Sequence, residues 1–220
     1  MIIVCGDVHG EWKALVNKVV SYNLTNTSLI IAGDCGFGFN SVKHDIDTLI
    51  KLNEFFKSRN IVMHLVRGNH DNPSFWIKSR KDDFTNIVFQ KDYSRILNNT
   101  FDYDQEQERE IVFIGGAVSI DRDQRIEHES WWANEIIVKE PARRANIIIS
   151  HDCPTFVSPM DFKHKNNEDA YHNAKILDMV YDEMYHKPEL WVHGHFHISK
   201  TTFFENTKFV SLDILEFYEI

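Results

Sequence analysis

Short runs of apolar, mostly β-branched residues alternate with longer amphipathic segments along the chain. The short runs, which are bounded by polar or turn residues, predict strands, and the segments with helical spacing predict helices. The predicted strands in the first two thirds are Ile2–Cys5, Ser28–Ala32, Ile61–Val66, Asn86–Phe89, Ile111–Gly115 and Asn146–Ser150. The predicted helices cover about Glu11–Tyr22, Val42–Arg59 and Tyr171–Tyr185, with a short helix beginning near Pro73.

Strands that alternate with helices favour an α/β fold with parallel strands in the first half of the chain. The end of the chain, from Leu190 to Ile220, instead contains a run of strands, which indicates a second sheet packed face to face on the first. We therefore expect a two-sheet β-sandwich flanked by helices. At 220 residues and 43% hydrophobic, the chain has enough apolar sequence for one domain over 1–220.

Five of the apolar runs end directly in a polar cluster. In chain order the boundaries read IIVC-GDVHG, LIIA-GDCG, MHLV-RGNHD, NIIIS-HD and LWV-HGHFH. Loops beyond the carboxyl ends of parallel strands form the binding crevice of α/β sheets, so these five segments are expected to meet at one edge. The glycines within them are expected to let the backbone turn tightly as each strand ends. They are Gly6, Gly33, Gly68 and Gly194.

The five loops carry carboxylates, an amide and imidazoles, which together are ligands for Mn, Fe, Co, Ni or Zn. The candidate ligands are Asp7, His9, Asp34, Asn69, His151, His195 and His197. Seven ligands exceed the need of one tetrahedral ion but suit two divalent ions that share a carboxylate, with Mn or Fe favoured. Two such ions are a known arrangement for displacement at phosphorus by a metal-bound hydroxide. The pattern predicts metal-dependent hydrolysis of phosphoesters.

His70 and Asp71 follow the proposed ligand Asn69 directly. The side chain of His70 is expected to point away from that ligand, towards the substrate, where it would protonate a leaving alkoxide as a general acid. Asp71 is a candidate for orienting His70. We therefore assign the pair to catalysis rather than to metal binding.

The ordered series GDVHG, GDCG, GNHD, SHD and GHFH resembles the calcineurin-like metallophosphoesterases, and the match spans Asp7 to His197. That resemblance implies a two-sheet α/β/α sandwich. It implies one metal held by Asp7, His9 and His197, and another held by Asn69, His151 and His195. Asp34 would bridge the two ions, and His70 would be the catalytic acid or a phosphate-contacting histidine. A non-catalytic scaffold of this fold would be expected to have lost some of these residues, and none is missing.

The sequence departs from the protein Ser/Thr phosphatases of that superfamily. Those enzymes extend the second motif by an aspartate–arginine pair, whereas the stretch here is GDCGFGFN, without an acidic or basic residue after the motif. Arg67, just before Gly68, resembles the RGNH of those phosphatases and is a candidate substrate contact. The missing arginine favours a phosphodiesterase acting on a nucleotide-like or small phosphodiester. The alternative is a phosphomonoesterase for small molecules or for phosphorylated Ser/Thr proteins.

The segment FIGGAVSIDRDQRIEHESWWANE resembles one in small stand-alone bacterial and phage members. It predicts a strand ending at Gly115–Gly116, then a loop and a helix beside the metal centre. Its candidate substrate contacts are Asp121, Arg122, Arg125, Trp131 and Trp132, since arginine binds phosphate oxygens and tryptophan stacks on bases. In the alternative interpretation, the Trp pair packs a helix onto the sheet and the Arg–Asp pairs fix the loop. The loop Thr155–Asp169, with Lys163, His164 and Lys165, is either a lid or a solvated turn.

The net charge and the cysteine content limit the kinds of partner and the compartment that we expect for this protein. The formal net charge of −9 and the pI of about 5.7 argue against extended nucleic-acid binding and leave a small phosphoester as substrate. Cys5, Cys35 and Cys153 form no CxxC pair; they are small buried residues, extra ligands or redox-sensitive thiols. No apolar stretch approaches the roughly 20 residues of a membrane helix, and no basic leader precedes the first strand, so we expect a cytoplasmic protein.

Overall fold

The computed structural model describes residues 1–78, 84–102, 105–142, 144–162 and 167–220. Its strands are β1 (Ile2–Cys5), β2 (Thr27–Ile31), β3 (Ile61–Leu65), β4 (Ile87–Phe89), β5 (Arg95–Asp102), β6 (Gln105–Ile114), β7 (Ile147–Ser150), β8 (Leu190–His193), β9 (Lys200–Phe204), β10 (Thr207–Ser211) and β11 (Phe217–Glu219). Its α-helices are α1 (Trp12–Ser21), α2 (Val42–Ser58), α3 (Pro73–Lys78) and α4 (Glu168–Glu183). The elements therefore follow the predicted order closely.

The strands form two mixed sheets. The first has the order β11-β1-β2-β3-β4, with β1 to β4 parallel and β11 antiparallel beside β1. The second has the order β5-β6-β7-β8-β10-β9, in which β6, β7, β8 and β10 are parallel and the two edge strands are antiparallel to their neighbours. This arrangement confirms the predicted two-sheet fold.

Three apolar layers hold the sandwich together, because strand residues that alternate in direction bury both faces of each sheet. Between the sheets, Val4 and Ile30 of the first pack with Phe113 and Ile149 of the second. On the outer face of the first sheet, Leu29 and its neighbours pack against α1 and α2. On the outer face of the second sheet, strand residues pack against the buried side of α4.

The fold differs from the prediction at a strand whose sequence is charged rather than apolar, and at an apolar run that a loop divides into two strands. Residues 95–102 and 105–112 form an antiparallel hairpin of β5 with β6, although QEQERE at the start of β6 has no apolar face to predict it. In the run of strands expected from Leu190 to Ile220, the last stretch, KFVSLDILEFY, reads as one strand but forms two, since β10 joins the second sheet and β11 crosses back to the first. The helix expected after Gly116 is only a 3-10 turn at Arg122–Gln124.

The topology brings the ends of β1, β2, β3, β7 and β8 to one edge of the sandwich. Backbone hydrogen bonds join the loops that follow: the N–H groups of Val8 and His9 donate to the carbonyl of Asp34 at 3.1 and 2.7 Å, and Gly194 N–H donates to the His151 carbonyl at 3.2 Å. That the chain is one domain over 1–220 remains a prediction. Across the described part of the chain, no helix is both long and apolar enough to cross a bilayer.

Candidate metal centre

The predicted ligands of the first and last motifs converge at this edge. His197 Nε2 lies 3.0 Å from Asp7 Oδ2 and 3.0 Å from His9 Nε2, while His9 Nε2 lies 3.7 Å from Asp7 Oδ2. Three ligand atoms from loops almost two hundred residues apart therefore surround one point. We call these residues, Asp7, His9 and His197, the first cluster.

A second cluster forms around His151, which is fully buried. Its Nε2 lies 2.9 Å from Asn69 Oδ1 and 3.2 Å from Asp34 Oδ1, while its Nδ1 lies 2.9 Å from the carbonyl oxygen of Ala32. The carbonyl requires a hydrogen on Nδ1, so in the neutral imidazole the lone pair of Nε2 faces the two oxygens. The ring of His195 lies 4.9 Å from that of His151, centroid to centroid, which places it beside this cluster.

Asp34 lies between the two clusters. Its Oδ1 faces His151 in the second cluster, and its Oδ2 lies 3.8 Å from His9 Nε2 in the first. Oδ1 also accepts the backbone N–H of His70 at 2.7 Å, which fixes the carboxylate in this orientation. A carboxylate that faces two ligand clusters in this way is suited to bridge two ions.

The pKa shifts of the buried residues show whether the site favours positive charge, as a metal site must. Burial opposes ionisation of Asp34, yet His151 holds the pKa of that carboxyl well below its usual value. Burial likewise lowers the pKa of His151, but Asp34 and Asp7 raise it to about 10. Several acceptor atoms converge here in a buried space, where unpaired charge is costly. Divalent ions therefore fit this donor set.

Four of the proposed ligands adopt left-handed backbone conformations. Their φ angles are 49° at His9, 45° at Asp34, 70° at His195 and 51° at His197. Residues other than glycine rarely adopt this region, and such conformations concentrate at functional sites. Here they turn each side chain back towards the centre immediately after its strand.

The glycines before the ligands provide space more than turning freedom, which corrects part of the expectation for them. Gly33 does have a left-handed φ of 107°. At Gly68, however, an added Cβ would lie 2.0 Å from Asp34 Oδ1, and at Gly194 it would lie 2.0 Å from Asp7 Oδ1. A side chain at either position would displace a carboxylate of the centre.

His70 lies at the edge of the centre. One of its ring nitrogens is within 4.8 Å of ligand atoms of His9 and Asp34, and its ring centroid lies 5.3 Å from that of His9. Burial lowers the pKa of His70, and the positive charge of Arg125 lowers it further, against the opposite effect of Asp34. Burial and Arg125 thus outweigh Asp34 and hold the pKa of His70 below its usual value, at the place where a substrate would meet the ligands.

Arg125, one of the predicted substrate contacts, reaches His70 from the segment after β6. Its Nη1 and Nη2 lie 3.0 and 3.1 Å from the Nδ1 and Nε2 atoms of His70. Asp121 holds the guanidinium through two contacts of 2.7 and 2.8 Å, and Nη1 also donates to the Ser130 carbonyl at 3.0 Å. Of the predicted substrate contacts, Arg125 is the one that the structure brings against His70.

Asp71 has contacts that differ from those expected of a residue that orients His70. Its carboxylate accepts backbone N–H groups from the loops after β2 and β3, at 2.7 to 3.2 Å. The donors are Cys35, Gly36, Phe37 and Gly68. Burial raises the pKa of Asp71 to about 6, with the charge of Asp34 adding to the rise and these hydrogen bonds opposing it. Asp71 thus joins two ligand-bearing loops, and Arg125 takes the place beside His70 that we expected Asp71 to occupy.

Arg67 was expected to contact substrate, but its side chain is only 6% exposed. Its Nη1 donates to the carbonyl of Glu135 at 2.8 Å, and its Nη2 donates to Ile136 at 3.2 Å and to Asp92 at 3.0 Å. The guanidinium is therefore turned inward and anchors the segment that follows β6. We infer a structural role for Arg67 instead of the predicted one.

Replacing Arg67 with methionine is expected to lower the free energy of unfolding by about 2–4 kcal/mol, because buried carbonyls and Asp92 would lose their donors. Chemical denaturation measures this change. The matched control is Arg144→Met, at an exposed position, which is expected to stay within about 0.5 kcal/mol. If Arg67→Met instead left the free energy of unfolding unchanged and raised KM, the original prediction that Arg67 contacts substrate would be supported.

Trp131 and Trp132 differ in burial and in the residues that they contact. Trp132 is 4% exposed and meets Phe39 edge-on, with centroids 5.1 Å apart, while Phe39 in turn stacks on His70 at 6.0 Å. Trp132 is thus buried against Phe39, and we infer for it the packing role of the alternative interpretation. Trp131 is half-buried, with the Arg122 guanidinium 6.0 Å from its ring centroid. Arg122 also forms an ion pair with Asp169.

The cysteines take no part in the ligand clusters found in the described residues. All three are free and fully buried, and burial raises the pKa of each thiol. A protonated thiol is a poor ligand and a poor nucleophile. The loop predicted as a lid or a solvated turn contains Lys163, His164 and Lys165, which lie outside the described residues.

Sequence reasoning missed three residues of the site. Phe39 stacks on His70, Ser119 accepts a hydrogen bond from the proposed ligand Asn69, and Glu135 in turn accepts from Ser119. A lone phenylalanine, serine or glutamate carries no motif. Only the length of the segment between β6 and β7, and the presence of charged residues within it, indicated that something there would meet the centre.

Comparison with known proteins places the chain in a family. The sequence matches the family model for calcineurin-like phosphoesterases over residues 1–199. No curated protein matches it. Three solved structures can be superposed on 97% of the chain. The two with TM-scores of 0.50 and 0.54 share its fold, and their identities show no more than that.

The phosphopantetheinyl hydrolase from Mycobacterium tuberculosis is 16% identical, with a TM-score of 0.49 and 90% of its own chain covered. A Staphylococcus aureus protein assigned as a 5′-nucleotidase, in complex with alpha-ketoglutarate, is 13% identical with a TM-score of 0.50. The present chain spans 48% of that protein. A third structure is 14% identical, with a TM-score of 0.54 and 90% coverage of its chain.

Proposed function

Because the chain belongs to the calcineurin-like phosphoesterase family of metal-dependent phosphoester hydrolases, we propose that it is a phosphodiesterase for a small or nucleotide-like diester. The observation that carries this proposal is the low positive charge beside His70. Arg125 is the predicted substrate contact that meets His70, and Asp121 already neutralises it. Arg67 is turned inward, and Arg122 is paired with Asp169.

Charge separates diesters from monoesters at such a site. A phosphodiester carries one negative charge at neutral pH, whereas a phosphomonoester carries between one and two, with a second pKa near 6. Each extra charge on the substrate needs a compensating donor in a site that excludes water. A guanidinium already paired with a carboxylate supplies little of that compensation, so the monoanion is the better match.

The proposed metal ligands follow the geometry of the two clusters. Asp7, His9 and His197 would hold one ion, Asn69, His151 and His195 would hold the other, and Asp34 would contact both. Mn or Fe is favoured because the ligands are oxygen and imidazole nitrogen without a thiolate. When bound, such ions polarise a phosphoryl oxygen and lower the pKa of water, which generates the nucleophile for in-line attack.

The residues of the chain that act on the substrate are His70 and Arg125. His70 gives a proton to the leaving alkoxide once the negative charge of the bound substrate favours its protonated ring, and Phe39 and Arg125 both contact that ring. Arg125 also offers its guanidinium to a non-bridging oxygen of the substrate. The partly exposed ring of Phe39 provides an apolar surface for the leaving group. General acid help of this kind contributes about 10²–10⁴-fold to turnover.

The proposed partner is a small molecule in the cytoplasm. The net charge of −9 disfavours a long nucleic acid. Three free cysteines and no disulfide in the described part of the chain fit a reducing compartment.

The test compares hydrolysis of bis-p-nitrophenyl phosphate and p-nitrophenyl phosphate with Mn in excess. We expect kcat/KM for the diester to exceed that for the monoester by about tenfold or more, which corresponds to about 1.4 kcal/mol in transition-state binding. Asp34→Asn protein is the blank. Faster monoester cleavage would make the enzyme a phosphatase.

Asp121→Asn tests the physical reason for that preference. It leaves Arg125 without its neutralising carboxylate and should therefore improve monoester cleavage relative to diester cleavage, by roughly threefold or more. An unchanged ratio would mean that the charge of Arg125 does not set the preference.

A further inference from the structure

We propose that Ser119 and Glu135 are positioning residues that fix the orientation of the Asn69 side-chain amide, so that its oxygen faces the metal centre. This inference rests on the proposed role of Asn69 as a metal ligand. It goes further by assigning a function to two residues after β6 that lie outside the proposed ligand set.

The three side chains form a buried chain of hydrogen bonds. Asn69 Nδ2 donates to Ser119 Oγ at 3.0 Å, and Ser119 Oγ donates to Glu135 Oε2 at 3.0 Å. The backbone N–H of Ser119 donates to the other oxygen, Glu135 Oε1, at 2.6 Å. Asn69, Ser119 and Glu135 are 2%, 1% and 2% exposed, so water does not compete for these bonds.

The direction of these bonds follows from what each group can offer. An ionised carboxylate only accepts, so Glu135 takes the single proton of the Ser119 hydroxyl. The hydroxyl oxygen then has only lone pairs to present to Asn69, and these accept the amide N–H. If the amide were reversed, its oxygen would face the lone pairs of Ser119, and two acceptors would be left in contact.

An asparagine ligand needs such a device because its oxygen and its NH2 group have nearly the same size. Packing alone does not decide which end faces a cation, whereas a carboxylate ligand presents an oxygen either way. In the same cluster, the carbonyl of Ala32 fixes the ring of His151 by accepting from Nδ1. Partners of this kind orient metal ligands and tune affinity.

The position of Glu135 is itself held by the loop that carries Asn69. The carbonyls of Glu135 and Ile136 accept from Arg67, which lies two residues before Asn69 in the loop after β3. The backbone N–H of Ala117 donates to the carbonyl of Glu135 at 3.2 Å. The segment after β6 is thus bound at Arg67 and reaches back to orient Asn69.

The experiment is a titration of the full chain, stripped of metal, with Mn. Ser119→Ala is expected to weaken one of two Mn equivalents by about ten- to a hundredfold and to leave the other unchanged. Asn69→Ala should weaken the same equivalent. The control is Ser211→Ala, which removes another buried hydroxyl, one without a hydrogen-bond partner in the described part of the chain. It is expected to bind both equivalents normally.

A double-mutant cycle separates positioning from packing. In an Asn69→Asp background the ligand has no N–H to orient, so adding Ser119→Ala should change Mn affinity by less than about threefold. Glu135→Gln keeps the shape but can donate to Ser119 Oγ. It frees the hydroxyl proton, and we expect it to weaken the same equivalent as Ser119→Ala.

Three results would overturn the proposal. One is an equal loss of affinity on adding Ser119→Ala to the unaltered chain and to the Asn69→Asp variant, since that indicates packing alone. Another is equal weakening of both equivalents. The third is retention of both equivalents by Asn69→Ala, because the pair would then have no ligand to orient. None of these readouts uses substrate, so a failure of the phosphodiesterase proposal is recognised separately.

Discussion

Asp34→Asn is expected to reduce turnover of any phosphoester by more than about a hundredfold and to weaken binding of both metal ions. The physical reason is that the two carboxylate oxygens of Asp34 face different clusters, with Oδ1 near His151 and Oδ2 near His9. Asparagine offers one oxygen and one NH2 group, and the NH2 group cannot bind a cation. The loss of a bridging ligand removes both charge and coordination from a two-metal site.

The structure also predicts which of the two ions Asp34→Asn would bind more weakly. The backbone N–H of His70 donates to Oδ1 of Asp34, so an asparagine at this position would keep its oxygen there and turn its NH2 group towards His9. The ion of the first cluster, with Asp7, His9 and His197, should therefore be lost first. Metal content after Mn loading, measured beside kcat, tests both statements.

Asp47→Asn, an exposed change on α2, is the matched control and should leave both measurements unchanged. If Asp34→Asn retained two ions and a tenth or more of the activity, Asp34 would not be the bridging residue.

The sequence predicted the parts of the fold that repeat a simple physical pattern. Apolar strands buried on both faces are recognised by composition alone, and β1, β2, β3, β7 and β8 lie within about one residue of their predicted positions. The β5–β6 hairpin was not predictable in this way. It lies at the edge of its sheet, and the part written QEQERE alternates charges rather than apolar residues.

The destination of the last strand also depends on information that is not local. Nothing in the letters EFYE indicates that β11 pairs with β1, two hundred residues earlier, rather than with β10 nearby. The loop Leu212–Glu216 leads the chain from the second sheet to the first, and its Leu215 N–H donates to the carbonyl of Asp7 at 3.0 Å. Such pairing depends on where the first sheet already presents a free edge.

The candidate site likewise has a part that the sequence predicts and a part that it does not. Each proposed ligand lies in a loop that follows a strand, so its approximate position could be predicted from the order of the strands and from the rule that loops after parallel strands meet at one edge. The surroundings of His70 were not, because they come from side chains that reach across the fold. Arg67 and Arg125 are both arginines near a motif, yet one is fixed by carbonyls after β6 and the other meets His70. Only three-dimensional packing separates them.

His70→Ala is expected to lower kcat by about a hundredfold or more while both metal ions remain bound. The structure makes this a sharp test, because one His70 nitrogen lies within 4.8 Å of ligand atoms of His9 and Asp34, close enough to be considered for a ligand. A residue that gives a proton to the leaving group can be removed without loss of metal. A ligand cannot, so the metal content of the variant distinguishes the two roles.

The dependence on the leaving group then identifies the chemistry. p-Nitrophenolate is a stable anion that leaves without protonation, whereas an alkoxide needs a proton before it can leave, so a general acid matters more for alkyl diesters. His70→Ala should therefore slow an alkyl diester about tenfold or more beyond its effect on bis-p-nitrophenyl phosphate. The matched control is His44→Ala, at an exposed position on α2, which should affect neither substrate. An equal loss on both substrates, with metals retained, would mean that His70 binds the phosphoryl oxygens instead, and Arg125 would then hold it for that purpose.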